Sequence, residues 1–241
     1  MIPPRTLPRV LFVLFVAVTA LHLAVLLLGA QPWDRPTQAL LMPVLAAFLL
    51  SAVPAPRGRL TGLVLVALGF SWLGDTAPEF APGNSGFLVM VGFFLVAQVF
   101  YIAAFWPLRA ESVLYRRRML LLPYLAAVAA LVVLCAPGAG SLLVPVLVYG
   151  LLLGAMAVLS TGVHPWAAAG GALFLISDGL IALRAFAPGF DPPLGGFWVM
   201  LTYTAAQALL VLGLLARLRG RTAGIAMLTP TRGRPPGEPT R

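Results

Sequence analysis

Long apolar runs separated by short polar breaks dominate the sequence, and most have the length of a membrane-crossing helix, which needs about 17–25 mostly apolar residues. Gly, Pro and polar residues interrupt the runs, for example at Gln31-Pro32, Pro137-Gly138 and Asp191-Pro192-Pro193. The pattern predicts eight helices, which span Arg9–Gly29, Pro36–Val53, Leu60–Asp75, Gly86–Trp106, Met119–Cys135, Ser141–Ser160, Trp166–Phe186 and Gly195–Arg217.

The predicted helices form one transmembrane domain, residues 1–220, with no separate soluble domain. The segment that follows, residues 221–241, combines Arg and Gly with four prolines, Pro230, Pro235, Pro236 and Pro239. Such a composition is typical of disorder. We therefore expect an all-α bundle of eight transmembrane helices followed by a disordered basic tail.

The composition excludes the ordinary soluble classes of protein. Of the 241 residues, 61% are hydrophobic and 10% are charged, whereas a soluble domain carries about 25% charged residues. The mean hydropathy is +0.98, and a single cysteine, Cys135, cannot build a disulfide framework. The net charge of +9 comes from arginines in the gaps between apolar runs, which favours lipid headgroups over nucleic acid as the partner.

The positions of these arginines predict the orientation in the membrane. All sixteen basic residues are Arg. With eight spans, both ends of the chain share one side, and that side receives every arginine except Arg35 and Arg184. By the positive-inside rule, we expect both termini in the cytoplasm. The Arg-only, Ala- and Gly-rich usage suggests the plasma membrane of a bacterium.

Two aspartates, Asp75 and Asp178, fall inside or at the edge of apolar helices. A charged side chain at the centre of a membrane helix costs about 2.5–3.5 kcal/mol, so such residues face the bundle interior or a wet cavity. Both helices run outward from the cytoplasmic side, and the two residues lie about 22 and 18 Å along them at 1.5 Å per residue. We expect a shared pocket in the non-cytoplasmic half, where one carboxyl holds a proton and the other a charge. That pairing suits general acid–base hydrolysis.

Two other roles for these aspartates stay open. Either could form a structural salt bridge, and Arg184 is the nearest candidate for Asp178, although a separation of six residues places the two on different helix faces. A proton relay in a transporter would also use buried carboxylates.

Further polar side chains lie at helical spacing on the same helices as the aspartates or on neighbouring ones. They can donate hydrogen bonds to a carboxylate or a lipid headgroup, and they could equally bond one helix to another. The set comprises Ser71, Gln98, Tyr101, Tyr203 and Gln207.

No metal or cofactor site is predicted. His22 lies within the first helix and is interpreted as a packed histidine, His164 lies in a loop, and the two do not form a zinc-ligand pattern with Cys135. Gly150 and Gly154 form a G-x-x-x-G pair, which permits close helix packing or a homodimer.

Residues 69–75, Gly-Phe-Ser-Trp-Leu-Gly-Asp, resemble the F-S-x-x-G-D motif of the YhhN-like membrane proteins. Residues 92–101, 171–178 and 203–207 resemble further stretches of that family in the same order. Its members are eight-helix proteins, and the characterised ones are lysoplasmalogenases. The resemblance implies hydrolysis of the vinyl-ether bond of lysoplasmalogen to a fatty aldehyde and glycerophosphocholine or glycerophosphoethanolamine, with the two aspartates central.

The chain departs from the family pattern at two positions. Gln98 stands where members typically have the His of A-H-x-x-Y, and Met42-Pro43 stands where they often have Lys-Pro. Gln can form hydrogen bonds but cannot shuttle a proton near neutral pH, and without the lysine one candidate phosphate contact is missing. A proton-coupled transporter or a non-catalytic lipid-binding member of the family is therefore the alternative.

The resulting hypothesis is a paired-aspartate mechanism acting on a membrane lysophospholipid. One aspartic acid protonates the vinyl-ether carbon, and the other, ionised, stabilises the oxocarbenium ion and deprotonates water, as in glycoside hydrolysis. Asp178 is favoured as the acid because it lies deeper within its helix, although either assignment is compatible with the sequence. Four residues are expected to orient the substrate, namely Gln98, Tyr101, Tyr203 and Gln207. Ser71 and Ser177 are expected to hold the carboxylates.

Overall fold

The computed structural model of the chain describes residues 6–83 and 85–228, and this part of the chain is helical with no strand. Short 3₁₀ turns follow α3 and α4 and precede α6 and α7. The predicted all-α class is confirmed, and α5 is an additional single turn. In chain order the helices are α1 (Leu7–Leu28), α2 (Asp34–Ala52), α3 (Arg59–Thr76), α4 (Gly86–Phe105), α5 (Val113–Arg116), α6 (Leu121–Ala139), α7 (Leu143–Ser160), α8 (Pro165–Phe186) and α9 (Gly195–Leu228).

The helix ends follow local sequence signals. Gly29 closes α1 in the left-handed region at φ 60°, and its N–H bonds to carbonyls of the last turn. Pro165 opens α8, where the side chain of His164 accepts a hydrogen bond from the Trp166 N–H. The sequence predicts that the helix is interrupted at Pro137-Gly138. In the structure α6 instead continues to Ala139 and ends at Gly140, which has φ 49°. Because Pro137 has no N–H, only the hydrogen bond to the Val133 carbonyl is lost, and the helix ends two residues later.

The last helix extends beyond its predicted end. α9 continues to Leu228, into the segment 221–241 that the composition predicts to be a disordered tail. Residues 221–228 precede Pro230 and include Ala, Met and Leu, which favour helix. The remainder of the predicted tail, residues 229–241, lies outside the described residues.

Within the described residues, seven helical stretches are long and apolar enough to cross a membrane, as expected of an integral membrane protein. One of them, Arg118–Ser160, has 43 residues and comprises both α6 and α7. These two helices pack against each other, and a Cβ added to Gly154 would lie 2.9 Å from the side chain of Val128. The G-x-x-x-G pair thus faces a helix of the same chain, and a homodimer stays a prediction.

α8 and α9 form the most closely packed helix pair of the bundle. A Cβ added to Gly170 would lie 2.8 Å from the carbonyl oxygen of Ala206, and one added to Gly213 would lie 2.5 Å from the Ala167 nitrogen. Small residues allow this approach of two backbones. By contrast, α1 lies at the periphery and exposes most of its side chains to the surroundings.

Candidate active site

Asp75 lies in the last turn of α3, where donors from two other helices hold its carboxylate. Gln38 of α2 donates from Nε2 to Oδ1 at 3.2 Å, and the Tyr203 hydroxyl of α9 donates to Oδ2 at 2.8 Å. The residue is only 8% exposed. Each carboxylate oxygen therefore accepts one hydrogen bond, which orients the group and spreads its negative charge over two donors.

Asp178 of α8 is held differently, although it also has two donors and is 5% exposed. Gln98 Nε2 of α4 donates to Oδ2 at 3.2 Å, and the Tyr149 hydroxyl of α7 donates to the same oxygen at 2.5 Å. In the described part of the chain, no hydrogen bond reaches Oδ1. That oxygen is available to carry a proton and to donate it to another molecule.

Both aspartates line one cavity of about 650 Å³. The cavity lies at the end of the bundle where α1, α3 and α8 end and where α2, α4 and α9 begin. The structure therefore brings together the two aspartates that the sequence singled out. Polar and charged residues on the cavity wall are His22, Asp34, Arg35, Gln38, Asp75, Ser177, Asp178, Arg184 and Tyr203.

A second, narrower cavity of about 70 Å³ meets Asp178 from between α4, α6, α7 and α8. Its wall is apolar except near Asp178 and Tyr149. Asp178 thus lies at the junction of a polar and an apolar cavity, an arrangement that fits an amphiphile with a polar head and a hydrocarbon chain. The side chains shared by the two cavities are Phe87, Met90, Phe94, Asp178 and Ile181.

Two arginines lie on the wall of the polar cavity, Arg35 at the start of α2 and Arg184 near the end of α8. Arg35 forms a salt bridge with Glu79 at 2.9 Å, and Arg184 lies 3.9 Å from Asp191. The structural salt bridge between Arg184 and Asp178 is therefore not formed. Because both arginine side chains are partly exposed, they can also reach an anionic group within the cavity.

A second network, of neutral side chains, lies behind the cavity and adjoins the first at Tyr203, which is close to Gln207. The Tyr101 hydroxyl of α4 donates to Gln207 Oε1 of α9 at 2.5 Å, and Gln207 Nε2 donates to Ser71 Oγ of α3 at 3.0 Å. All three residues are fully buried, and they do not line the cavity. Contact of Ser71, Tyr101 and Gln207 with a substrate stays a prediction, whereas their contacts with one another hold three helices together.

The two serines differ from the sequence expectation that they hold the carboxylates. Ser71 accepts from Gln207, and Ser177 donates to the Val199 carbonyl oxygen at 3.0 Å. A serine in a helix readily satisfies its hydroxyl with a nearby carbonyl or amide. Gln38 and Tyr149, which sequence reasoning did not select, donate to the carboxylates instead. Their only signal was a polar side chain within an apolar helix.

The two departures from the family pattern lie in different surroundings. Gln98 contacts Asp178 directly, and its other amide atom, Oε1, is buried without a hydrogen-bond partner among the described residues. Met42 is 1% exposed and packs in the hydrophobic core. It is not part of the cavity wall, so the phosphate contact that a lysine there would make has to come from elsewhere, and Arg35 and Arg184 are the cations on that wall.

The fold and the site together define a helical integral membrane protein with a pair of buried aspartates at one cavity. The chain belongs to the YhhN family, whose family model matches residues 33–214. It is similar to the lysoplasmalogenases of Mycobacterium bovis and Mycobacterium tuberculosis, each 29% identical over an alignment of 213 residues that covers 80% of this chain and 77% of the relative. It is also similar to mouse lysoplasmalogenase TMEM86B, 32% identical over an alignment of 193 residues that covers 76% of this chain and 79% of the relative. No solved structure gives a significant match.

Proposed function

We propose that this protein is a lysoplasmalogenase-like hydrolase that cleaves the vinyl-ether bond of a lysophospholipid to release a fatty aldehyde and a glycerophospho-base. The observation that carries the proposal is the position of Asp178, which lines both the polar cavity shared with Asp75 and the apolar cavity. Relatives over most of the chain carry the name lysoplasmalogenase, which supports the same substrate class.

The proposed placement in the membrane has eight crossings with both ends of the chain in the cytoplasm of a bacterial cell. The stretch Arg118–Ser160 has 43 residues, which would be about 65 Å long as one helix, twice the roughly 30 Å hydrocarbon core. Counting α6 and α7 as two crossings brings the number to eight. The positive-inside rule then directs the aspartate cavity to the non-cytoplasmic leaflet.

The proposed substrate position follows the chemistry of the two cavities. The phosphate lies near Arg35 and Arg184 at the open end of the polar cavity, because a guanidinium matches a phosphate in charge and geometry. The first carbons of the hydrocarbon chain enter the apolar cavity, whose wall includes Leu131, Val146 and Leu153, and the rest of the chain continues into the surrounding lipid. The alkenyl ether between head and chain then meets Asp178, where the two cavities join.

In the proposed reaction, Asp178 carries a proton on Oδ1 and transfers it to the alkenyl carbon that is not bonded to oxygen. The positive charge is shared by the neighbouring carbon and the ether oxygen, and the ionised Asp75 stabilises it. Water adds to that carbon and gives a proton to Asp75. When the hemiacetal collapses, its hydroxyl proton returns to Asp178, and the leaving glycerol oxygen takes the proton from Asp75. Both carboxyls thereby return to their starting states.

The hydrogen bonds favour this division of roles. Both oxygens of Asp75 accept hydrogen bonds, which suits a group that acts as an anion. Asp178 receives both donors on Oδ2, which leaves Oδ1 for a proton. Gln98 cannot exchange a proton near neutral pH, so its proposed role is to orient Asp178 for the transfer.

The proposed function is tested with the purified full-length protein in lipid nanodiscs. Lysoplasmalogen is added, and aldehyde is followed by a coupled dehydrogenase, with the saturated 1-O-alkyl lysolipid as the matched control. We expect aldehyde from the alkenyl lipid and none from the alkyl lipid. Absence of aldehyde, together with proton-dependent uptake of lipid into vesicles, would instead identify a transporter.

A further inference from the structure

His22 lies on the wall of the aspartate cavity, and one nitrogen of its buried ring is a hydrogen-bond acceptor without a partner among the described residues. The residue is 1% exposed, and its side chain lines the cavity from α1. Its Nδ1 lies 2.8 Å from Thr37 Oγ of α2. The family model begins at residue 33, so His22 precedes the segment that the family match covers.

The hydrogen bonds of Thr37 determine which nitrogen of His22 carries the proton. The Thr37 hydroxyl has a single hydrogen, which is donated to the carbonyl oxygen of Trp33 at 2.7 Å or of Asp34 at 3.0 Å. Towards His22, Thr37 can therefore only accept, so Nδ1 must bear the hydrogen. In the neutral ring, Nε2 is then a bare acceptor.

This Nε2 atom is buried and has no hydrogen-bond partner among the described residues. A buried acceptor without a partner costs about 1–3 kcal/mol, so a donor from outside the protein is expected at this position. The Asp34 carboxylate also lines the cavity. A cationic donor would bind to this carboxylate rather than to the neutral imidazole of His22. A hydroxyl is therefore the donor that suits Nε2.

The depth of His22 matches one hydroxyl of a lysophospholipid. His22 lies six residues before the end of α1 at Leu28, which is about 9 Å along the axis. Arg35 and Arg184 lie within two residues of a helix end, and Asp178 lies eight residues before the end of α8, about 12 Å along the axis. In the lipid, the hydroxyl on the middle glycerol carbon likewise lies between the phosphate and the ether oxygen.

We propose that His22 Nε2 accepts a hydrogen bond from the free hydroxyl on the middle glycerol carbon and so selects single-chain lipids. This inference rests on the proposed substrate class. A second acyl chain on that oxygen would remove the hydrogen and leave Nε2 unpaired. Thr37 acts as a positioning residue, because its hydroxyl keeps the hydrogen of the imidazole on Nδ1.

The experiment measures binding, which does not require turnover. Full-length protein in nanodiscs is titrated with the saturated 1-O-alkyl lysophosphatidylcholine and with its 2-deoxy analogue, and the ratio of the two Kd values is determined. We expect the native protein to prefer the hydroxyl-bearing lipid by about tenfold, which corresponds to about 1.4 kcal/mol. His22→Phe, which keeps a ring but removes the acceptor, should reduce the ratio to about one.

Two further variants separate selection from general damage to the protein. Thr37→Val preserves the side-chain volume but removes the acceptor for Nδ1–H, and we expect it to reduce the ratio several-fold even if His22→Phe does not fold. His164→Phe alters the other histidine of the chain, which lies in a separate pocket with Glu111 and Arg217, and should keep the native ratio.

The outcomes distinguish this inference from the proposed function. A native ratio near one, as expected if water alone occupies the position, would overturn the role of His22. So would a His22→Phe or Thr37→Val protein that keeps the native preference. A His22-dependent ratio in a protein that releases no aldehyde would support hydroxyl recognition and overturn the hydrolysis. Aldehyde release with a ratio of Kd values unaffected by these variants would support the hydrolysis and overturn hydroxyl recognition by His22.

Discussion

Two buried polar networks of the described residues differ in their surroundings: one is charged and faces a cavity, and the other is neutral and enclosed. In the first, Asp75 and Asp178 each accept two hydrogen bonds and line the same cavity. In the second, Tyr101, Gln207 and Ser71 bond to one another and are fully buried. Residues from both networks looked alike in the sequence, because each is a polar side chain in an apolar helix.

The two networks represent two roles of a polar residue in a membrane helix. A neutral network whose members satisfy one another contributes to helix association, by about 0.6 kcal/mol per hydrogen bond on average. Buried carboxylates without a cationic partner are costly, and proteins keep them where chemistry or transport requires them. We therefore expect substitutions in the charged network to affect turnover, and substitutions in the neutral network to affect stability.

The largest effect is expected for Asp75→Asn, which keeps the shape of the side chain but removes the negative charge. Loss of the group that stabilises the cation and accepts the proton from water should lower kcat by about 10²–10⁴-fold. The double variant with Asp178→Asn should be scarcely slower than either single variant, because the two residues act as a unit. Aldehyde release from lysoplasmalogen measures both.

Asp191→Asn is the matched control for these changes. It makes the same substitution at a loop residue whose side chain is 89% exposed. It should retain turnover. If Asp75→Asn also retained turnover while folding normally, Asp75 would have no part in the reaction.

A smaller effect is expected for Tyr149→Phe, which removes one of the two donors to Asp178 Oδ2. Asp178 becomes an anion as it gives up its proton, and loss of a hydrogen bond to a charged group amounts to about 1.5–3 kcal/mol. Removing this donor should therefore lower kcat at least about tenfold. Tyr124→Phe is the comparison variant, since Tyr124 of α6 is only partly buried and lines neither cavity. Equal kcat values for the two variants would show that Tyr149 does not contribute to the reaction.

The smallest effect on turnover is expected for Gln207→Leu in the neutral network. This change leaves the buried hydroxyls of Tyr101 and Ser71 without a partner, which should lower the free energy of unfolding by about 1–3 kcal/mol. Thermal unfolding in detergent measures the stability, and kcat is determined per folded molecule. A loss of kcat larger than that of Tyr149→Phe would place Gln207 at the substrate and break the contrast between the two networks.

Much of the fold could be read from the sequence because lipid imposes length and polarity on each helix. The similar depth of Asp75 and Asp178 followed from helix direction and rise per residue, which hold for any straight helix, whereas only the structure places both residues at one cavity. The donors to these carboxylates could not be predicted, because the rotation of α2 and α7 about their axes decides whether Gln38 and Tyr149 face inward. For the same reason, Ser177 could not be assigned to the Val199 carbonyl oxygen rather than to Asp178.

His22 illustrates the same limit. In the sequence it is a lone histidine in an apolar helix, and a packed side chain was the natural interpretation. Its contact with Thr37, its unpaired buried Nε2 and its place beside the cavity distinguish it from a core residue.

The central claim, that Asp178 is the acid at the junction of the two cavities, is tested most directly by one comparison on Asp178→Asn. Binding of the saturated 1-O-alkyl lysolipid and aldehyde release from lysoplasmalogen are measured on the same nanodisc preparation. We expect a Kd within a few-fold of the native value and a kcat lower by about 10²–10⁴-fold. Native kcat in a folded Asp178→Asn protein would contradict it.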